Sequence, residues 1–315
     1  MRPRITPQVT TDWTERDIAW VAGLLDGEGW IGILKTKSES SRGGFWYVGA
    51  IVFGQTEPEL VDRLHAMVKW HGNRLVRQAP SESNCKDYHR LDIRNQVVLQ
   101  EVLEALVPRL VIKRRQAETV LALRYMASVG AMSAAMQTAA QALYQECREL
   151  NRHHRAVRVL PHDQDSEWAW LAALVDGEGW IGMNRHAKTP RGTQIYSVAV
   201  VIGLVDEVAV RRCREIAGRG SISRERRPTK DVWRWTVRGR QAMWLLEKLA
   251  PYLVRKARHV DVARTFYREG FCHSMKAGLT PGEERVRLAC WEAFRKLNWR
   301  GKKPIPPELM KSAIP

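Results

Sequence analysis

The stretch DIAWVAGLLDGEGWIGI at 17 to 33 returns as EWAWLAALVDGEGWIGM at 167 to 183, identical at 11 of 17 positions. Identity that dense over so long a segment marks an internal duplication rather than chance. The correspondence runs on downstream. Tyr47, Ala50, Val52 and Gly54 recur as Tyr196, Ala199, Val201 and Gly203, and YHRLDIRN at 88 to 95 parallels VWRWTVRG at 232 to 239. Pro108, Leu110 and Lys113 answer Pro251, Leu253 and Lys256, and even Arg148, Leu150 and Asn151 near the end of the first copy are answered by Arg295, Leu297 and Asn298. A 315-residue chain made this way predicts two modules, 1–155 and 156–315, joined through the polar stretch NRHHRAVRVLPHDQD at 151 to 165.

Periodicity orders the elements within a copy. Small and apolar residues after Thr14 and Ser166, both good N-cap types, predict a helix that stops at the glycines of DGEG. Two runs rich in β-branched and aromatic residues follow, WIGILKTK and FWYVGAIVFG, joined by the turn SESSRGG as a hairpin. The sequence Thr56-Glu57-Pro58-Glu59 has the form of a capping box, and a second helix is expected there, with its copy starting near Asp206. A further strand pair, around 74 to 79 and 88 to 94, and then helices from about 96 to 150 complete the αββαββα order of an α/β (α+β) module. Trp20, Trp30, Trp170 and Trp180 recur at matched positions and are expected in the core rather than as base-stacking platforms.

Charge points to the partner. A formal net charge of +17 over a 44% hydrophobic, 27% charged chain indicates a globular protein that meets a polyanion. Nucleic acid fits better than a membrane, because no amphipathic anchor is evident and Arg124 and Gln137 interrupt the only long Ala-rich stretch. Cys85, Cys147, Cys213, Cys272 and Cys290 are odd in number, widely spaced and free of any CxxC pair, which indicates reduced thiols in an intracellular, soluble protein, cytoplasmic or nucleoid-associated, or organellar in a eukaryote. The start MRPRITPQVT has no apolar core of a signal peptide.

The dyads Asp26-Gly27-Glu28 and Asp176-Gly177-Glu178 stand where a helix ends and a strand begins. An acidic residue is unfavourable at a helix C-terminus, so its presence in both copies argues for a task other than stability. Ala22, Gly23, Ala172 and Ala173 are small enough to let two such helices pack closely, which would bring Glu28 and Glu178 together. Carboxylates so placed need a cation, and hard oxygen donors suit magnesium or manganese.

VAGLLDGEG and LAALVDGEG resemble the LAGLIDADG motif of homing endonucleases, present twice as in the family's single-chain monomers, and the resemblance spans essentially the whole chain. It implies a magnesium-dependent DNA double-strand endonuclease acting as a monomer on a long, nearly palindromic site, with manganese able to substitute and calcium supporting binding without cleavage. It implies metal ligation by Glu28 and Glu178 with the carbonyls of Gly29 and Gly179, a mainly structural role for Asp26 and Asp176, and lysines near the scissile phosphates at Lys113 and Lys256. Gln55 takes the place of a polar residue that orders water, while its counterpart Leu204 departs from the pattern and sets the two halves apart.

The resemblance also implies that each module presents an antiparallel saddle to the DNA major groove. Strand alternation turns Leu91, Ile93, Ile181, Met183, Trp235 and Val237 inward and leaves Arg90, Asp92, Arg94, Asn184, His186, Lys188, Arg234, Thr236 and Arg238 outward as DNA-binding residues, with Arg77 and Ser223 on the flanking strands. Arginine suits guanine and asparagine suits adenine. Two other roles share the scaffold, an RNA maturase acting on a host intron and a regulator that binds DNA without cutting it. Presence of both glutamates favours the nuclease, and the lack of flanking splicing-domain motifs favours a free-standing or intron-encoded form.

Overall fold

The structure is a computed structural model that describes residues 8–38, 44–81, 83–128, 133–153, 156–159, 161–187, 194–270, 279–299 and 301. Two compact units emerge, Met1–Arg77 with Tyr88–Gly177 and Gln78–Asp87 with Glu178–Pro315.

The first unit runs α1 (Glu15–Glu28), β1 (Gly29–Lys37), β2 (Phe45–Gln55), α2 (Pro58–Met67), β3 (Asn73–Arg77), β4 (Tyr88–Ile93), α3 (Gln96–Leu106), α4 (Arg114–Ser128) and α5 (Ala134–Arg152). Its four strands form an antiparallel sheet in the order β1-β2-β4-β3. Helix α6 (Gln164–Glu178) opens the second repeat, yet all of it except Glu178 groups with the first unit, so the compact units do not divide at the repeat boundary. The second unit carries β5 (Trp180–Arg185), β6 (Tyr196–Leu204), α7 (Glu207–Ala217), β7 (Ser221–Glu225), β8 (Val232–Arg238), α8 (Arg240–Leu249), α9 (Ala257–Glu269) and α10 (Pro281–Leu297), with sheet order β5-β6-β8-β7.

The mixed α/β architecture expected of the duplication is therefore present twice. The register reproduces the repeat residue for residue: Trp30 pairs with Val52 and Gly32 with Ala50 in one sheet, Trp180 with Val201 and Gly182 with Ala199 in the other. In each sheet one face is covered by helices and supplies the core. Ile31, Ile51, Phe53, Leu91 and Ile93 are all at most 1% exposed, and Ile181, Val200, Ile202, Trp235 and Val237 match them. The last helix of each copy is tied to the first strand by the same bond, from Asn151 Nδ2 to the Ile31 carbonyl at 3.0 Å and from Asn298 Nδ2 to the Ile181 carbonyl at 2.8 Å.

Several local expectations are corrected. Thr14 does cap α1, in a box with Asp17. Ser166 does not cap α6; it lies inside the first turn, where its N–H and Oγ donate to Asp163, and Asp163 is the capping side chain. No capping box forms at α2, since Thr56 Oγ1 turns to Glu57 and the N-cap Glu57 makes no side-chain cap bond. Trp20 and Trp170 are core residues at 1% and 4% exposure, but Trp180 is 36% exposed and Trp30 half-buried. Strand alternation explains the difference, because residues 30 and 180 lie near the start of their strands on the face away from the helices. There each indole lies over the glycine two residues on, and a Cβ at Gly32 or Gly182 would come within 2.3 or 2.2 Å of it.

Candidate active site and nucleic-acid interface

Helix α1 continues through the acidic dyad and stops at Gly29, whose φ of −76° is ordinary for any residue. The glycine is required by space instead, as a Cβ there would meet Leu25 at 2.6 Å. Asp26, 2% exposed, aims its carboxylate away from the end of its own helix. Oδ2 accepts the Val111 N–H at 2.8 Å and Oδ1 accepts the N–H groups of Ile112 and Lys113, each at 2.9 Å. The Trp170 indole on α6 adds a fourth bond at 3.1 Å. The three backbone donors lie on the turn that leads into α4, next to its N-terminal end, where the helix dipole favours an anion. Burial pushes the Asp26 carboxyl up, opposed by the Val111 N–H, the Lys113 charge and the Trp170 indole. For Asp26, then, the argument from charge at a helix C-terminus is corrected: the residue stabilises a second helix.

Lys113 returns the interaction. Its Nζ donates to the carbonyls of Leu25, Asp26 and Gly27 at 2.7, 2.8 and 3.3 Å, closing the C-terminal end of α1. The side chain expected beside a phosphate is thus 5% exposed and engaged by three carbonyls. Lys256, immediately before α9, is equally buried at 4%. Small residues meet as expected between α1 and α6, where a Cβ on Gly23 would stand 2.2 Å from the Trp170 carbonyl oxygen. The same packing sets Gly177 against Glu28, with 3.1 Å from the missing Cβ to the glutamate Cγ. Glu28 is half-buried and Glu178 exposed, while Gly29 and Gly179 are buried at the helix–strand junctions. Gln55 ends β2, 7% exposed, and its Nε2 meets no hydrogen-bond acceptor among the described residues.

Away from the helices, register collects the remaining candidates. Trp30, Val52, Asp92 and Asn73 share one row across the first sheet, and Gly54, Arg90 and Leu75 the next, with Arg77 beyond. In the second sheet the rows are Trp180, Val201, Thr236 and Ser221, then Gly203, Arg234 and Ser223, with Gly182, Ala199 and Arg238 on the other side. Asn184 follows on β5, and His186 beyond its end bonds the Ser197 Oγ at 2.7 Å.

No protein-family model and no curated protein matches the chain. Solved structures do. The homing endonuclease I-SmaMI, bound to an uncleaved DNA target in the presence of calcium ions, superposes with a TM-score of 0.66 at 12% identity, over 88% of this chain and 98% of that one. I-SmaMI bound to cleaved DNA gives 0.64 at 13%, over 90% and 98%. The LAGLIDADG endonuclease I-GzeII in complex with its DNA target gives 0.62 at 13%, over 87% and 97%. This is the LAGLIDADG homing-endonuclease fold.

In this LAGLIDADG fold the motif helices are α1 and α6, and among the described residues each sheet has one face that no helix covers. The outward assignments from strand alternation agree with the register, with two changes of environment. Asp92 and Thr236 are outward by register but only 2% and 6% exposed, and over Asp92 lie Arg90 and Arg94. Lys188 and Cys272 lie outside the described residues. What sequence reading missed is the Asp26 cradle at residues 111 to 113, whose only trace was the matched spacing of Leu110 and Lys113 with Leu253 and Lys256. Among the described residues no helix is long and apolar enough to cross a membrane.

Proposed function

We propose that this chain is a site-specific, divalent-metal-dependent DNA endonuclease that works as a monomer on a long, pseudo-palindromic site. The observation that carries the reading is the recurrence, in both copies, of a glutamate at the helix–strand junction together with an open sheet face bearing Arg90 and Arg94 or Arg234 and Arg238. Solved structures of this fold are described as bound to uncleaved and cleaved DNA.

The donor chemistry fits magnesium. Among the described residues no three acidic, histidine or cysteine side chains group into a closed cage. Magnesium does not need one, since it keeps waters and takes one or two carboxylates alongside substrate phosphates. Glu28 in one unit and Glu178 in the other would serve as metal ligands, with the Gly29 and Gly179 carbonyls as further hard donors. A bound divalent ion would polarise the phosphodiester and offset the charge that develops on it. The chain's own groups do the positioning. Lys113 fixes the carbonyls just before Glu28, and its charge offsets the carboxylate's repulsion of phosphate. Gln55 offers its unpartnered Nε2 to an ordered water, a contribution that Leu204 does not repeat. Arginines on the open faces supply phosphate and base contacts, so affinity should fall steeply with salt.

The test is selection of cleaved sites from a randomised DNA library with magnesium, repeated with manganese and with calcium, followed by Glu28→Gln and Glu178→Gln on a supercoiled plasmid carrying the selected site. Each near-isosteric change should leave folding and DNA binding in place and slow linearisation about a hundredfold or more. Specific binding with no cut in magnesium or manganese would replace this reading with that of a DNA-binding regulator.

A further inference from the structure

Asp92 is an anomaly on a face read as meeting DNA. A carboxylate opposes phosphate, and a surface built only for electrostatic attraction would omit it. It is also 2% exposed, roofed by two arginines of its own strand end. Arg90 approaches side-on, with Nε to Oδ1 at 2.5 Å and Nη2 to Oδ2 at 3.0 Å, while Arg94 Nη2 reaches Oδ2 at 2.7 Å. The arginine side chains stay 38% and 48% exposed.

We infer that Asp92 is a positioning residue that holds Arg90 and Arg94 ready for guanine recognition in the half-site met by the first sheet. The inference rests on the DNA-binding reading above and deepens it.

The donor count supports it. A guanidinium has five N–H donors. Arg90 spends its Nε and one Nη2 hydrogen on Asp92, which leaves both Nη1 hydrogens and the second Nη2 hydrogen as an end-on fork. That fork matches the O6 and N7 acceptors of guanine. Arg94 spends one Nη2 hydrogen and keeps the rest. Unsupported arginines lose most of their rotamer freedom on binding, whereas this pair has lost it on folding, so the cost is absent from the recognition step. Charge-assisted bonds to a buried carboxylate also hold geometry more firmly than exposed ones.

The second copy lacks the device. Thr236 stands where Asp92 does, between Arg234 and Arg238. Arg234 is bonded instead by Glu225 Oε2 on β7 at 2.7 Å, a pair 42% and 43% exposed and open to screening. The two half-sites should therefore be read with unequal stringency, the guanines under the first sheet more strictly.

The experiment is competition binding in calcium with every single-base variant of the selected target, for the parent, Asp92→Asn, Asp92→Thr and the reciprocal Thr236→Asp. In the parent, two guanine positions in one half-site should discriminate by roughly tenfold or more. Asp92→Asn and Asp92→Thr should reduce this to about threefold or less at those positions alone, while binding to unrelated DNA stays equal or tightens because a negative charge is gone. Thr236→Asp should sharpen the opposite half-site. Thermal midpoints report whether each variant folds. Should Asp92→Thr unfold, Arg90→Met keeps Asp92 and its Arg94 pair but removes every donor of the fork, and must abolish one guanine preference. Retention of both guanine preferences by a folded Asp92→Thr, or of that one by Arg90→Met, overturns the inference and leaves the endonuclease reading intact. A parent that selects no sequence at all overturns both.

Discussion

Lys113 donates its ammonium to the carbonyls of residues 25 to 27 while its own backbone N–H is accepted by Asp26 at 2.9 Å, so the C-terminal end of α1 and the N-terminal end of α4 cap each other. Both helix ends carry orphan groups that water cannot reach, because the two residues are 5% and 2% exposed. Lys113→Met takes the ammonium away from the Asp26 and Gly27 carbonyls, leaves the Leu25 carbonyl with the Gly29 N–H alone, and should cost about 2 to 4 kcal/mol of stability. Asp26→Asn should destabilise too, and the double variant should lose less than the two singles combined. Urea midpoints for the four proteins measure this. A Lys113→Met variant as stable as the parent would show the lysine to serve the reaction only.

Gly23 bears on the same helix pair. Adding one methyl places carbon 2.2 Å from the Trp170 carbonyl oxygen, and that neighbour is backbone, so it cannot rotate away. Gly23→Ala must push α1 and α6 apart and should lower stability by roughly 1 to 3 kcal/mol, although alanine is the better helix former. The copy has Ala173 at this place, which makes the exchange mild in sequence terms and costly only if the close approach is real. An unchanged denaturation midpoint would contradict the packing.

How far the sequence revealed this depends on the range of each interaction. The duplication, the order of elements and the two faces of each sheet were legible because they follow from periods of two and 3.6 residues, compared between copies. Even the loose match of Asn151 with Asn298 proved to be one bond made twice. The Asp26 cradle was not legible, since its donors lie 85 to 87 residues away and are backbone N–H groups, which carry no residue signature. Asp92 looked like a free outward carboxylate because alternation reports which face a side chain takes, not that Arg90 and Arg94 would lie over it. Ser166 and Thr56 each had the right residue type for a cap, but a better-placed neighbour, Asp163, took the first role and Glu57 drew off the second hydroxyl.

His259 makes the second unit sensitive to acid. It is 4% exposed on α9, and burial, together with the charges of Lys256 and Arg255, brings its imidazole down from 6.5 to about 4. The sign follows from proton binding. Below about 6.5 the unfolded chain takes up a proton that the folded chain refuses until pH nears 4, so this contribution to stability is whole above the unfolded value and is lost as pH falls toward the folded one. Between about pH 7 and about pH 5 the loss should be roughly 2 kcal/mol. The first copy shows how to remove it. Gln116 occupies the equivalent place, fully buried, and its Nε2 donates to the Leu150 carbonyl at 3.0 Å. The repeat puts Leu297 where Leu150 stands, so His259→Gln has a carbonyl to meet and no proton to gain. Urea midpoints of parent and variant at the two pH values decide the matter. The parent should lose more than His259→Gln on acidification, and equal losses would show that His259 is not the group responsible.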